Sequence, residues 1–142
     1  MLQHSPILTP VIILVLWTFV MMTWMAISRF SVFPKLKIKP KDGQRTSELA
    51  LKMPAKTQWK ADNYNHLLEQ PTLFYATAII LALVGGDSGL NLSLAWAYVC
   101  GRILHSLVQA TVNNVLVRLT LFFLTSIALF IMTINAAILL IG

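Results

Sequence analysis

WAYVCGRILHSLVQATVNNVLVR, residues 96–118, is apolar enough to enter a bilayer and polar in the wrong places for lipid. Arg102, His105, Gln109 and Asn113 recur at spacings of three and four, and Tyr98 stands four before Arg102. On an α-helix those positions share one face. An arginine at the centre of a hydrophobic span costs about 2.5–3.5 kcal/mol even on the lower scales, so it should face protein, water or a bound partner. Two readings stand. The stripe is a functional site, or it is glue between helices, satisfied by a buried carboxylate and amides.

The whole chain has the composition of a membrane protein. Its 142 residues are 57% hydrophobic and 11% charged, with a mean hydropathy of +0.73. That length fits a single domain, residues 1–142. The net charge of +6 is concentrated: nine of the eleven Lys and Arg residues lie between Arg29 and Lys60. A basic segment flanked by apolar runs is a topogenic signal attracted to anionic lipid, and nucleic-acid binding is the weaker explanation. Cys100 is alone, which excludes an intrachain disulfide and a cysteine-only metal site. Its apolar neighbours make it a packing residue rather than a nucleophile.

Outward from that stretch, the sequence predicts an all-α protein. Membrane spans fall at about 7–28, 66–84, 90–112 and 115–141, with a basic loop at 29–65. The first run lacks a basic start and exceeds the ~7–15 residues of a signal-peptide core; it matches the ~20 that cross a bilayer. In the loop, Lys35, Lys37, Lys39 and Lys41 alternate with Leu36, Ile38, Pro40 and Asp42, which reads as extended chain. Residues 47–52 fit one helical turn, and 56–65 fit a helix running into the second span. Pro71 should loosen the first turns of that span. Gly85-Gly86-Asp87-Ser88-Gly89 and Asn113-Asn114 are turns, so the later spans should be antiparallel neighbours. Positive-inside places the loop in the cytoplasm and both termini on the opposite side. Glu69, His105 and Arg118 then share the cytoplasmic half, with Arg102 about 16 Å deeper than Asn113 by helical rise.

These residues suggest chemistry, each beside a plainer role. Arg118 is a snorkelling interfacial arginine, or a cation that stabilises a thiolate. Glu69 needs a partner, and Arg102 is the candidate. Their pair would lock two helices or receive the ammonium of a zwitterionic ligand. His105 is an acid–base group or a packing residue. His66 and Asn65 are placed to contact a ligand or water. No spacing of His and Cys suggests a metal site, and no glycine-rich loop suggests a nucleotide site. A proton or ion pathway along Glu69, Arg102 and His105 would want a second charged layer, which the sequence lacks.

NYNHLLEQPTLFYA at 63–76, followed by YVCGRILHSLVQATVNNVLVR at 98–118, resembles the MAPEG family, the membrane-associated proteins of eicosanoid and glutathione metabolism. The run from Glu69 to Tyr75 is similar to the bacterial-type branch. Gly101-Arg102, His105 and the later Arg118 are similar to the family's Gly-Arg-x-x-His and its downstream arginine. The resemblance implies an integral-membrane four-helix bundle assembled as a homotrimer in a bacterial inner membrane, with glutathione held between subunits. It implies a glutathione-dependent transferase or peroxidase acting on lipophilic substrates from the bilayer, with glutathione as co-substrate. Arg118 would be catalytic, and Glu69, Arg102, His105, His66, Asn65 and Gln109 would bind glutathione. Active branches commonly carry Arg-Asn where this chain has Asn65-His66, and Tyr where it has Gln109. The alternative is therefore a non-catalytic protein of this fold that binds lipid or another small anion.

Overall fold

The computed structural model describes residues 4–142. Among these the chain is helical throughout, with no strand. The first helix, α1 (Leu8–Phe30), is apolar up to Arg29. It buries Pro10, Leu14 and Met21 on one stripe, while Leu16, Phe19 and Ile27 stay exposed.

The connector at 31–54 is not extended, contrary to the reading of its alternating lysines. Turns fill 31–37, a 3-10 turn covers Pro40–Gly43, and a short helix, α2, covers Thr46–Lys52. The cause is local hydrogen bonding. Ile38 N–H reaches Phe33 O at 3.1 Å and Lys37 N–H reaches Pro34 O at 3.3 Å. That crossed pair ends a helical turn, and it requires Lys37 at a φ of 53°, where glycine is the usual residue. Asp42 then closes the loop, accepting from Lys52 Nζ and Lys39 N, each at 2.8 Å. The Lys52 hydrogen bond, and then the Lys39 amide, hold its carboxyl below the usual carboxylate range.

Helices α3 (Ala55–Glu69) and α4 (Pro71–Leu83) form one rod of 29 residues. The helix that fits 56–65 is thus present, starts at Ala55 and runs into the second apolar run, as its sequence suggests. Pro71 has no N–H to donate, so the ladder breaks at Gln70. Gln70 nevertheless keeps helical angles, φ −61° and ψ −36°, and the rod continues. Past the glycine turn, where Gly85 and Gly89 take positive φ, come α5 (Gly89–Thr111) and α6 (Val115–Ile141). Between them Asn113 adopts a φ of 52°, a conformation asparagine tolerates better than most residues. Asn114 caps α6 by accepting from Val117 N at 3.2 Å.

Among the described residues three helices are long and apolar enough to cross a membrane: α1, the α3–α4 rod and α6. The 23-residue α5 carries the polar stripe, which lowers its hydropathy. It packs against α1, α3 and α6, and so turns that stripe inward. Tyr98, Arg102, His105, Ser106 and Gln109 are all buried. Leu16, Phe19, Phe123, Leu124, Ile127 and Phe130 face outward. Polar inside and apolar outside is an arrangement for lipid rather than water.

The α5–α6 approach depends on Gly101. A Cβ there would collide with the Thr125 Cγ2 methyl. Thr125 cannot simply rotate, because its buried hydroxyl is held by Leu121 O at 2.9 Å and Phe122 O at 3.0 Å. We expect Gly101→Ala to destabilise the protein by about 1–3 kcal/mol, the usual cost of overpacking. Adding Thr125→Ser, which removes the methyl and keeps the hydroxyl, should recover most of that loss in thermal unfolding of the detergent-solubilised protein.

Candidate functional site

Arg102 is 1% exposed, and no carboxylate lies within ion-pair distance of it among the described residues. Its guanidinium is instead spread over neutral partners. Nη2 donates to Gln70 Oε1, Nε donates to the Tyr98 hydroxyl at 3.2 Å, and Nη1 meets His66 Nε2 at 3.4 Å. The faces of Tyr98 and Phe122 each lie 5.3 Å from its central carbon. Such partners soften the burial of a charge but do not neutralise it.

The expected Glu69–Arg102 pair does not form within the chain. Glu69 is exposed and accepts from His66 Nδ1 at 3.1 Å. Its neighbour Gln70 takes the inward position, reaching Arg102 and Tyr98 with Oε1 and donating Nε2 to Ser126 Oγ at 2.8 Å. The reason is helical phase. Asn63, Leu67, Gln70 and Phe74 follow a three-to-four spacing along the α5-facing side of the rod, and Glu69 lies about 100° away from Gln70 on the helix. Glu69 still acts on the cluster through His66. A proton on Nδ1 donated to Glu69 leaves the Nε2 lone pair to accept from Arg102.

The His66 and His105 rings lie with centroids 5.0 Å apart, tilted 33° to each other, and Phe122 lies 5.7 Å from His66. Together with Val115, Arg118 and Leu119 they line a cavity of about 260 Å³. Arg118 is in the first turn of α6. Its Nη1 donates to Asn113 Oδ1 at 2.5 Å, while its Nε is buried without a partner. The unpaired backbone amides of the same turn carry partial positive charge. Arg102 stands behind the cavity wall made by His66 and Phe122.

The MAPEG family model matches residues 7–138, nearly the whole chain. The chain belongs to the MAPEG family. No curated protein and no solved structure matches it. Membership makes this a membrane protein with a role, in general terms, in eicosanoid or glutathione metabolism. Against that background, His66, His105, Arg118 and Arg102 converge in this MAPEG chain. Asn65 is exposed on α3 and does not line the cavity. Gln109 is buried one turn beyond His105, its Oε1 without a partner. Sequence reasoning missed Gln70 and Phe122. Gln70 was visible in the spacing with Asn63, Leu67 and Phe74. Phe122 gave no signal among the other aromatics of α6. Asn63, on the same side of the rod as Gln70, is buried and donates Nδ2 to Ser106 Oγ at 2.6 Å. Among the described residues no group of three or more His, Cys, Asp or Glu side chains is placed to hold a metal.

Proposed function

We propose that the protein is a glutathione-dependent transferase or peroxidase acting on lipophilic substrates, with Arg118 catalytic. The observation that carries this reading is Arg118 on the cavity wall with a buried, unpartnered Nε, and Arg102 behind it, buried with no carboxylate partner among the described residues. An anionic ligand in the cavity would pair with Arg118 directly and offset the Arg102 charge across the wall of His66 and Phe122. Glutathione brings two carboxylates and, once deprotonated, a thiolate. A positive charge close to the sulfur favours the thiolate, which is the nucleophile. Val115 and Leu119, apolar and exposed on the cavity wall, give a lipophilic electrophile or hydroperoxide a way in from the bilayer.

In this reading α5 crosses the membrane as the fourth helix, shielded by its neighbours. The basic connector lies in the cytoplasm, with both termini across a bacterial inner membrane. The assembly is a homotrimer. Glu69 and Asn65, exposed in one chain, then face a neighbouring subunit, where Glu69 receives the ammonium of glutathione. His66 and His105 hold the ligand from the wall, and Gln109 offers its free Oε1 below them.

Calorimetric titration of the detergent-purified protein with glutathione tests the proposal. Saturable binding is expected, weakened by both Arg118→Ala and Glu69→Ala. A well-folded protein that takes up no glutathione at millimolar concentration would defeat it and leave a non-catalytic anion-binding or lipid-binding member of the family.

A further inference from the structure

The connector has a property that the glutathione site does not use. Between Arg29 and Lys60 it sets nine Lys and Arg residues against two acids, Asp42 and Glu48. Those acids are spent locally, Asp42 on Lys52 at 2.8 Å and Glu48 on Arg45 at 3.5 Å. Lys35, Lys37, Lys39 and Lys41 are exposed and have no carboxylate partner among the described residues. In the same connector Phe30, Phe33, Ile38, Pro40 and Leu49, with Lys39, line a cavity of about 290 Å³. Phe30 is the last residue of α1, so this cavity opens where a membrane-crossing helix leaves the apolar layer. The surroundings are apolar as well as basic: Phe30 is 67% exposed, Leu36 42% and Leu51 89%.

We infer that this end of the molecule is a binding site for an anionic phospholipid. The acyl portion lies against Phe30, Phe33, Ile38 and Leu49, and the headgroup phosphate is held by Lys35, Lys37, Lys39 and Lys41. Charge complementarity favours this occupant over a neutral lipid, and the apolar cavity favours it over a soluble anion. Lys37 occupies a left-handed backbone position, φ 53°, at the turn that carries Lys35 and Lys39 on either side of it. The site is independent of the glutathione reading and would survive its failure.

The test uses the full chain in detergent, with phosphatidylglycerol and phosphatidylcholine of identical acyl chains, and reads retained lipid by native mass spectrometry. Phosphatidylglycerol should be retained in preference, and the preference should fall as salt is raised. Each lysine near an anionic surface contributes a factor of about five, so the combined Lys35→Gln, Lys37→Gln, Lys39→Gln and Lys41→Gln variant should lose at least about tenfold in affinity. The corresponding four Lys→Arg substitutions should keep the preference, which separates lost charge from lost folding. Equal retention of the two lipids, or a preference that survives the glutamine variant, overturns the inference. Displacement of the lipid by an equal concentration of inorganic phosphate would overturn it too, by making this a soluble-anion site.

Discussion

Replacing Arg118 with alanine is expected to lower glutathione-dependent turnover by about 10²–10³-fold, the loss that follows removal of one fixed stabiliser of developing charge. Helical content and assembly should be unchanged. The structural part of the prediction rests on how little Arg118 holds together. Among the described residues its one side-chain hydrogen bond runs to Asn113 Oδ1, in a turn that Asn114 caps independently. Among the described residues it belongs to no ion pair, so alanine strands no partner charge. The catalytic part rests on its position on the cavity wall, with Nε buried and unsatisfied. Lysine at this position keeps the charge and loses the planar fork, so an intermediate rate would identify charge as the main contribution. The measurement is turnover with a lipophilic electrophile and with a hydroperoxide, alongside the ultraviolet absorbance of bound thiolate. Full activity in Arg118→Ala would reduce this residue to an interfacial arginine.

The parts of the fold that were legible in the sequence are those with one dominant pattern. Helices α1 and α6 are apolar almost throughout, and their lengths follow from composition. The stripe on α5 was legible for the opposite reason. In an apolar context every polar residue stands out, and Tyr98, Arg102, His105 and Gln109 are all buried along one face. The α3–α4 rod was harder. A helix over 56–65 running into the second span is legible, but from Ala55 to Gln70 polar residues occur on every side, so hydropathy does not give its phase. Charge drew attention to Glu69, whereas packing selects Gln70. A one-residue error on a helix is a rotation of about 100°, enough to exchange an inward side chain for an exposed one. The connector failed in another way. Alternation suggested extended chain, but Pro34 and Pro40 cannot donate to a ladder, and the local hydrogen bonds to Phe33 O and Pro34 O close a turn instead.

That same residue, Gln70, supports the second large prediction. Gln70→Leu should destabilise the protein by about 3 kcal/mol, because it removes an acceptor from a buried guanidinium that has no carboxylate to fall back on. The Tyr98 hydroxyl and Ser126 lose a partner in the same step. Arg102→Met should behave differently. It discards the buried charge itself, and replacing buried ions with apolar side chains of similar size is often neutral or stabilising. The double variant should therefore be more stable than Gln70→Leu alone, with a coupling of about 1–3 kcal/mol between the two sites. Denaturation of the detergent-solubilised variants measures this, and glutathione titration of the same samples separates the roles of the stripe. If Arg102 is glue between helices, Arg102→Met unfolds the protein as severely as Gln70→Leu, and the double variant is no better. If Arg102 is held in place for an anion, Arg102→Met folds and fails to bind glutathione. A buried arginine supported only by an amide, a phenol, an imidazole and two ring faces adds little stability of its own. The two variants therefore separate a charge held for a ligand from a charge that joins helices.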